Sequence, residues 1–163
     1  MLSIDAFEPF GDVLTLGGAE QRIINEGSAT RFHDLAKIDI ASDYGYPLLN
    51  VFRGQAKDIP VRIKMMERHP LGSQAFWPLS NEPFLVVVAK PGAAPAPDAL
   101  RAFYAPPGIG VNYEKGVWHH PLLALNKASD FIVIDRGGDG QNLDEISFTE
   151  DIEILLHGFD DAS

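Results

Sequence analysis

Two short stretches concentrate the residues that could do chemistry: Glu67-Arg68-His69-Pro70-Leu71-Gly72-Ser73-Gln74-Ala75-Phe76 and Gly116-Val117-Trp118-His119-His120. Three of the five histidines lie there. The segment entering the first stretch alternates, with Val61, Ile63 and Met65 on one side and Arg62 and Lys64 on the other, as in a strand with one buried face. If that strand continues without a bulge, Glu67 and His69 join the apolar face, where an ionisable pair is costly unless it has a partner or a task. The same parity sends His119 inward with Val117, Leu123 and Leu125, and His120 outward. Glu67, His69, Gln74 and His119 are a donor set that suits a divalent transition metal. Two ligands two residues apart on a strand share a face, and a turn returns a third from the next strand. The alternative is a metal-free hydrogen-bonded network in which His69 or Glu67 is a general base. His120 or Lys115 could deliver a proton. Arg53 or Arg31 could hold a carboxylate bidentately, as could Arg136. Asn112, Tyr113 and Lys115 flank the second stretch, where substrate contacts would fall. Trp118 reads as core or as a wall of that site. Asp135 continues the inward parity of Phe131 and Val133, so it either enters the interior or pairs with Arg136.

The elements that must carry these residues are short strands. Ser3 caps one N-terminal helical turn over Ser3 to Phe7, which ends near Pro9 and Gly11. The patterning then predicts strands at 13–16, 22–25, 32–40, 47–53, 61–69, 74–77, 84–90, 100–104, 110–113, 117–125, 131–135 and 152–155. With 15 Gly and 12 Pro as punctuation, this is an all-β sandwich or barrel with one or two short helices. Phe84-Leu85-Val86-Val87-Val88-Ala89 is apolar on both faces, as a central strand would be. Glu114-Lys115-Gly116 forms a tight turn with Gly116 at positive φ. The Pro-rich run at 91–97 is a surface loop. The expectation is one domain over residues 1–163, with 158–163 a frayed tail. Outside the two stretches, His33 and His157 read as structural or solvated.

Composition narrows the function. The chain has 163 residues, 45% of them hydrophobic, which is enough for a sizeable core. Against 23 Asp and Glu stand 13 Lys and Arg, a formal charge of −10, which disfavours nucleic acid and anionic membranes as partners. A small anionic substrate remains compatible. With no cysteine, disulfides, thiolate catalysis and Cys-ligated metals are excluded. No stretch approaches the roughly 18 apolar residues of a membrane span, and the N-terminus lacks a basic leader. A cytoplasmic protein is the expectation.

Two resemblances add to this reading. Glu67-x-His69-x4-Gln74 and Gly116-x-x-His119 resemble the two motifs of the cupins, double-stranded β-barrels of jelly-roll type. Glu stands for the first His of the usual His-x-His, and Gln for the usual final Glu. The stretches at 67–76, 110–113, 117–122 and 130–138, with Phe10-Gly11-Asp12-Val13 and Arg31-Phe32-His33-Asp34-Leu35, are more specific. Together they resemble the ureidoglycolate lyases, formerly called ureidoglycolate hydrolases, over nearly the whole chain. That resemblance implies a homodimeric cupin-like barrel in allantoin degradation, cleaving (S)-ureidoglycolate to glyoxylate and urea. It implies one divalent metal, nickel being the one associated with the family, although metal-free catalysis stays open. Alternatives are a hydrolase releasing ammonia from the same substrate, a cupin isomerase, or a barrel that only binds a small carboxylate.

Overall fold

The computed structural model describes residues 1–154. Ser3 caps α1 (Ile4–Phe7), its Oγ accepting from the Ala6 amide at 3.4 Å. Thirteen strands follow among the described residues: β1 (Gly11–Leu14), β2 (Glu20–Ile24), β3 (Ala29–His33), β4 (Tyr46–Gly54), β5 (Val61–Arg68), β6 (Gln74–Pro78), β7 (Phe84–Ala89), β8 (Arg101–Ala105), β9 (Gly110–Tyr113), β10 (Trp118–His119), β11 (Leu123–Ala124), β12 (Ser129–Gly137) and β13 (Asp144–Ile154). One sheet runs β1-β9-β6-β12-β4, and a second runs β11-β7-β10-β5-β13 with β8 also on β7. All pairings are antiparallel. The hairpin β2–β3 forms a separate two-stranded sheet. The fold is all-β and cupin-like, as expected.

Between the two sheets lies a core of Phe7, Phe10, Phe76, Phe84, Val86, Val88, Phe103, Val111, Tyr113, Val117, Phe131 and Val133. Full burial of an aliphatic or aromatic side chain of this kind contributes about 1.5–3 kcal/mol. β7 is buried at all six positions. Phe84, Val86 and Val88 enter this core, while Leu85, Val87 and Ala89 enter a second cluster with Val61, Ile63, Met66, Trp118, Leu123 and Leu125. That double burial is what its unbroken apolar run foretold.

Several expectations need correction. The β5 parity does not run through. Val61, Ile63 and Met66 share the second cluster, so the strand changes phase between 63 and 66. There its ladder with β13 is irregular, the register shifting between Ser147 and Ile152. Glu67 still faces the inter-sheet core, because it pairs with His119, which pairs with Val88. The strand expected at 32–40 ends at His33, since Asp34 takes φ 56. The strand expected at 117–125 is interrupted after His119. The break moves Leu123 and Leu125 to the second cluster while Val117 and His119 stay inside. The strand expected at 152–155 begins eight residues earlier, at Asp144. Gly116 does turn at φ 79. The tail at 158–163 and His157 lie outside the described residues.

Candidate functional site

The turn at Gly116 draws the two stretches together: its amide donates to the His69 carbonyl at 2.9 Å. β5 and β10 then lie side by side with Glu67 opposite His119. Glu67, His69 and His119 each offer a ligand atom, and these atoms lie within 4.8 Å of one another. His119 Nε2 is 3.6 Å from Glu67 Oε1, and the two imidazole centroids are 5.2 Å apart. Gln74, on β6 of the other sheet, is buried and close enough to His69 to influence its protonation.

Both histidines are oriented by backbone carbonyls. His69 Nδ1 sits 2.8 Å from the Asn142 oxygen, and His119 Nδ1 sits 3.0 Å from the Val117 oxygen. A carbonyl can only accept, so each Nδ1 carries a proton and each Nε2 is the ring nitrogen left to face the cluster. His69 Nε2, His119 Nε2 and Gln74 Oε1 are buried with no hydrogen-bond partner among the described residues. Buried polar atoms are normally satisfied. Three buried nitrogen and oxygen atoms left unpaired around a carboxylate are what a cation site would use. Hydrogen bonding of the distal imidazole nitrogen to a carbonyl is also the usual outer support of a metal-binding histidine. The residues present fit a divalent metal.

Protonation follows the same logic. Burial lowers the His69 imidazole below its ordinary range, His119 adds to the effect, and the Asn142 carbonyl and Glu67 oppose it. Burial likewise lowers His120. Burial works to raise Glu67, but His119, then His69 and His120, outweigh it and hold its carboxyl below the usual range. Near neutral pH the Glu67 carboxylate is therefore ionised, and the His69 and His120 imidazoles are neutral.

Tyr113 stacks on His119 with ring centroids 4.4 Å apart and planes 12° from parallel. Burial, with Glu67 nearby, raises its phenol, so it packs against the cluster as a neutral wall. His120 is half-buried. Its Nδ1 lies 2.7 Å from the Pro121 oxygen, and it is near enough to Glu67 for each to influence the other's protonation. A cavity of about 420 Å³ opens beside Glu67, lined in part by Phe52, Arg53, Lys57, Phe76 and Leu122.

Other residues singled out in the sequence are placed elsewhere. Lys115 pairs with Asp39 at 3.0 Å and lines a separate polar pocket with Asp12, Lys37, Ser73 and Glu114. Asn112 alternates with the inward Val111 and Tyr113, so it faces away from the cluster. It donates to Asp12 at 2.9 Å. Trp118, next to the inward His119, belongs to the second cluster beneath the Arg68 guanidinium, 4.6 Å from its ring. Arg53 lines the cavity mouth, but its guanidinium is held by Asp130 through two contacts of 2.7 Å. Arg31 sits opposite Arg22 on the separate hairpin, exposed. Arg136 is buried, donating to the Asp43 carbonyl at 3.2 Å. Asp135 enters the interior and accepts from Asn50 at 3.0 Å.

Three residues escape sequence reasoning. Asn142 holds His69 and also accepts from the Leu71 amide at 2.8 Å. Its place in a loop after β12 gives no signal. Lys57 lies in an irregular segment. Asn50 interrupts the inward row of Leu48 and Phe52, but Leu49 and Val51 on the opposite face hide the alternation.

Together, fold and cluster define a cupin-like β-barrel with a Glu-His-His cluster that could hold a divalent metal. The sequence profile of the ureidoglycolate lyases matches residues 1–155, and the chain belongs to that family. It is 57% identical over 147 residues to a ureidoglycolate lyase of Burkholderia mallei (strain NCTC 10229), covering 90% of this chain and 86% of that protein. It is 49% identical over 155 residues to a ureidoglycolate lyase of Pseudomonas aeruginosa (strain LESB58), covering 95% and 92%. Among solved structures it is similar to a TDP-quinovose 3,4-ketoisomerase from Campylobacter jejuni. That likeness has 12% identity and a TM-score of 0.42, over 78% of this chain and 85% of that one.

Proposed function

We propose that this protein cleaves (S)-ureidoglycolate to glyoxylate and urea in allantoin degradation. The observation that carries the reading is the convergence of Glu67, His69 and His119 within 4.8 Å, in a chain that matches the family from residue 1 to 155. One carbon of the substrate bears a hydroxyl, a carboxylate and a urea nitrogen. Cleavage moves one proton from the hydroxyl to that nitrogen as the C–N bond breaks and the carbonyl forms; no water is consumed.

In this reading His120 carries the proton. It is neutral, and with Nδ1 on the Pro121 carbonyl its Nε2 is free to take the hydroxyl proton and return it to the departing nitrogen. Such a relay contributes about 10²–10⁴-fold. Lys57, at the cavity mouth, meets the substrate carboxylate in place of Arg53, which Asp130 occupies. Glu67, His69, Gln74 and His119 would hold the divalent metal, nickel on family grounds. When bound, that ion supplies positive charge to stabilise the deprotonated hydroxyl. Should the protein work without it, Glu67 is the base. We place the enzyme in the cytoplasm, as a single domain and as a homodimer. β4 ends its sheet with Leu49 73% and Val51 63% exposed, an apolar edge that a second copy would cover.

The test is to incubate purified protein with racemic ureidoglycolate, with and without a chelator, and to quantify glyoxylate, urea and ammonia. Urea in step with glyoxylate is expected. Ammonia instead would transfer the reading to a hydrolase, and no turnover with added nickel would leave a binding barrel.

A further inference from the structure

Gln74 is the one donor of the cluster with chemically opposite ends: an oxygen that can face a cation and a nitrogen that cannot. Something must decide which end points at Glu67, His69 and His119. Gln74 begins β6, and one step beyond the Ile134–Ala75 pair of that ladder the residue opposite it is Asp135. The Asp135 carboxylate accepts from Asn50 Nδ2 at 3.0 Å, and the Gln74 side chain is its neighbour across the ladder, near enough to influence its protonation. An ionised carboxylate only accepts, so the end of the amide against it is the nitrogen. The planar amide then turns Oε1 the opposite way, where it is buried and no hydrogen bond of good geometry reaches it among the described residues, with His69 close enough for the two to interact.

We infer that Asp135, fixed by Asn50, is a positioning residue that keeps the Gln74 oxygen turned to the cluster and so sets its affinity for a divalent cation. This rests on the reading of the cluster as a cation site. It extends that site by a layer, from Asn50 on β4 through Asp135 on β12 to Gln74 on β6, all in one sheet.

The test is Co²⁺ titration of the chelator-treated full chain, followed by calorimetry and by visible absorption of the bound ion. Asp135→Leu removes the acceptor at similar size. It is expected to weaken Co²⁺ binding tenfold or more, within the roughly 10–100-fold typical for an outer hydrogen-bond partner. Gln74→Glu offers an oxygen whichever way it turns, so in the Gln74→Glu background Asp135→Leu should not weaken binding. If Asp135 acted only through its negative charge, affinity would fall in both backgrounds, and the inference is overturned. It is also overturned if Asp135→Leu binds as wild type does. A wild-type chain that binds no Co²⁺ removes the cation-site reading itself, a distinct outcome. Thermal unfolding monitors the fold of each variant. Should Asp135→Leu fail to fold, Asn50→Leu keeps the carboxylate and frees it: a loss of several-fold supports the inference, and an unchanged affinity overturns it.

Discussion

Lowering the pH should destabilise the chelator-treated protein before the Glu67 carboxyl takes up a proton. His69 and His120 are both pushed below their ordinary value near 6.5, chiefly by burial. In the unfolded chain both take up protons as the pH falls through that value, while in the folded chain both stay neutral. The unfolded state then binds more protons, so stability falls with pH from about 6.5 downward until the folded values are reached. Each histidine contributes at most about 1.4 kcal/mol per pH unit, so the pair contributes at most about 2.8. For a chain of this size that corresponds to about 6–11 °C of Tm per pH unit. Glu67 enters later: its carboxyl is held low, so its contribution is present above the ordinary carboxylate value and is lost only as pH falls through the folded one. Asp135 has the opposite sign, because burial raises its carboxyl and folding therefore favours its protonated form, offsetting part of the loss at the acid end. The assay is thermal unfolding in chelator between about pH 7.5 and 5.5, on wild type and on His120→Gln, which should lose about half the slope. A flat profile, or stability that rises on acidification, would refute the reasoning, as would an unchanged slope in the variant.

Replacing His69 with Ala should lower turnover well over tenfold, because it removes one of the three cluster residues that would hold the metal, while circular dichroism stays native; glyoxylate release measures it. Lys57→Met should raise KM several-fold and Arg53→Met should leave it within about twofold, since Arg53 is committed to Asp130 at the surface; steady-state kinetics of both variants side by side decide which cation meets the substrate. Phe131 is fully buried and meets Phe84 edge-on at 5.1 Å, so Phe131→Ala should cost about 3–5 kcal/mol, read by denaturant unfolding. Gly11 has φ 135, and a Cβ there would lie 1.9 Å from the Asn112 carbonyl oxygen, so Gly11→Ala should separate β1 from β9 and lower Tm by several degrees.

What the sequence makes legible here is what repeats along it. β7 declares itself as a two-faced central strand by six consecutive apolar residues, and the site declares itself by histidines and carboxylates at spacings that share a face. Parity is less robust than it looks. Glu67 does face inward, but Val61 and Ile63 belong to the other cluster, so the strand changes phase between them and Glu67. Only cross-strand pairing, Glu67 to His119 to Val88, fixes the direction. The residues sequence reading missed or misplaced fail for the same reason: their roles come from partners far away in the chain. Asn142 reaches His69 across 73 positions and Asn50 reaches Asp135 across 85. Arg53, an obvious carboxylate clamp by type, is taken by Asp130 across 77. A titratable residue two places from another on a strand advertises a site. The amides and carbonyls that give such residues their tautomer and direction are set by the ladder of a different strand, and one-dimensional patterning does not record which strands become neighbours. The chemistry of this barrel is therefore written in short motifs, while its orientation is written in the sheet order. Substitution at Asn50 should accordingly change metal affinity without touching any motif residue.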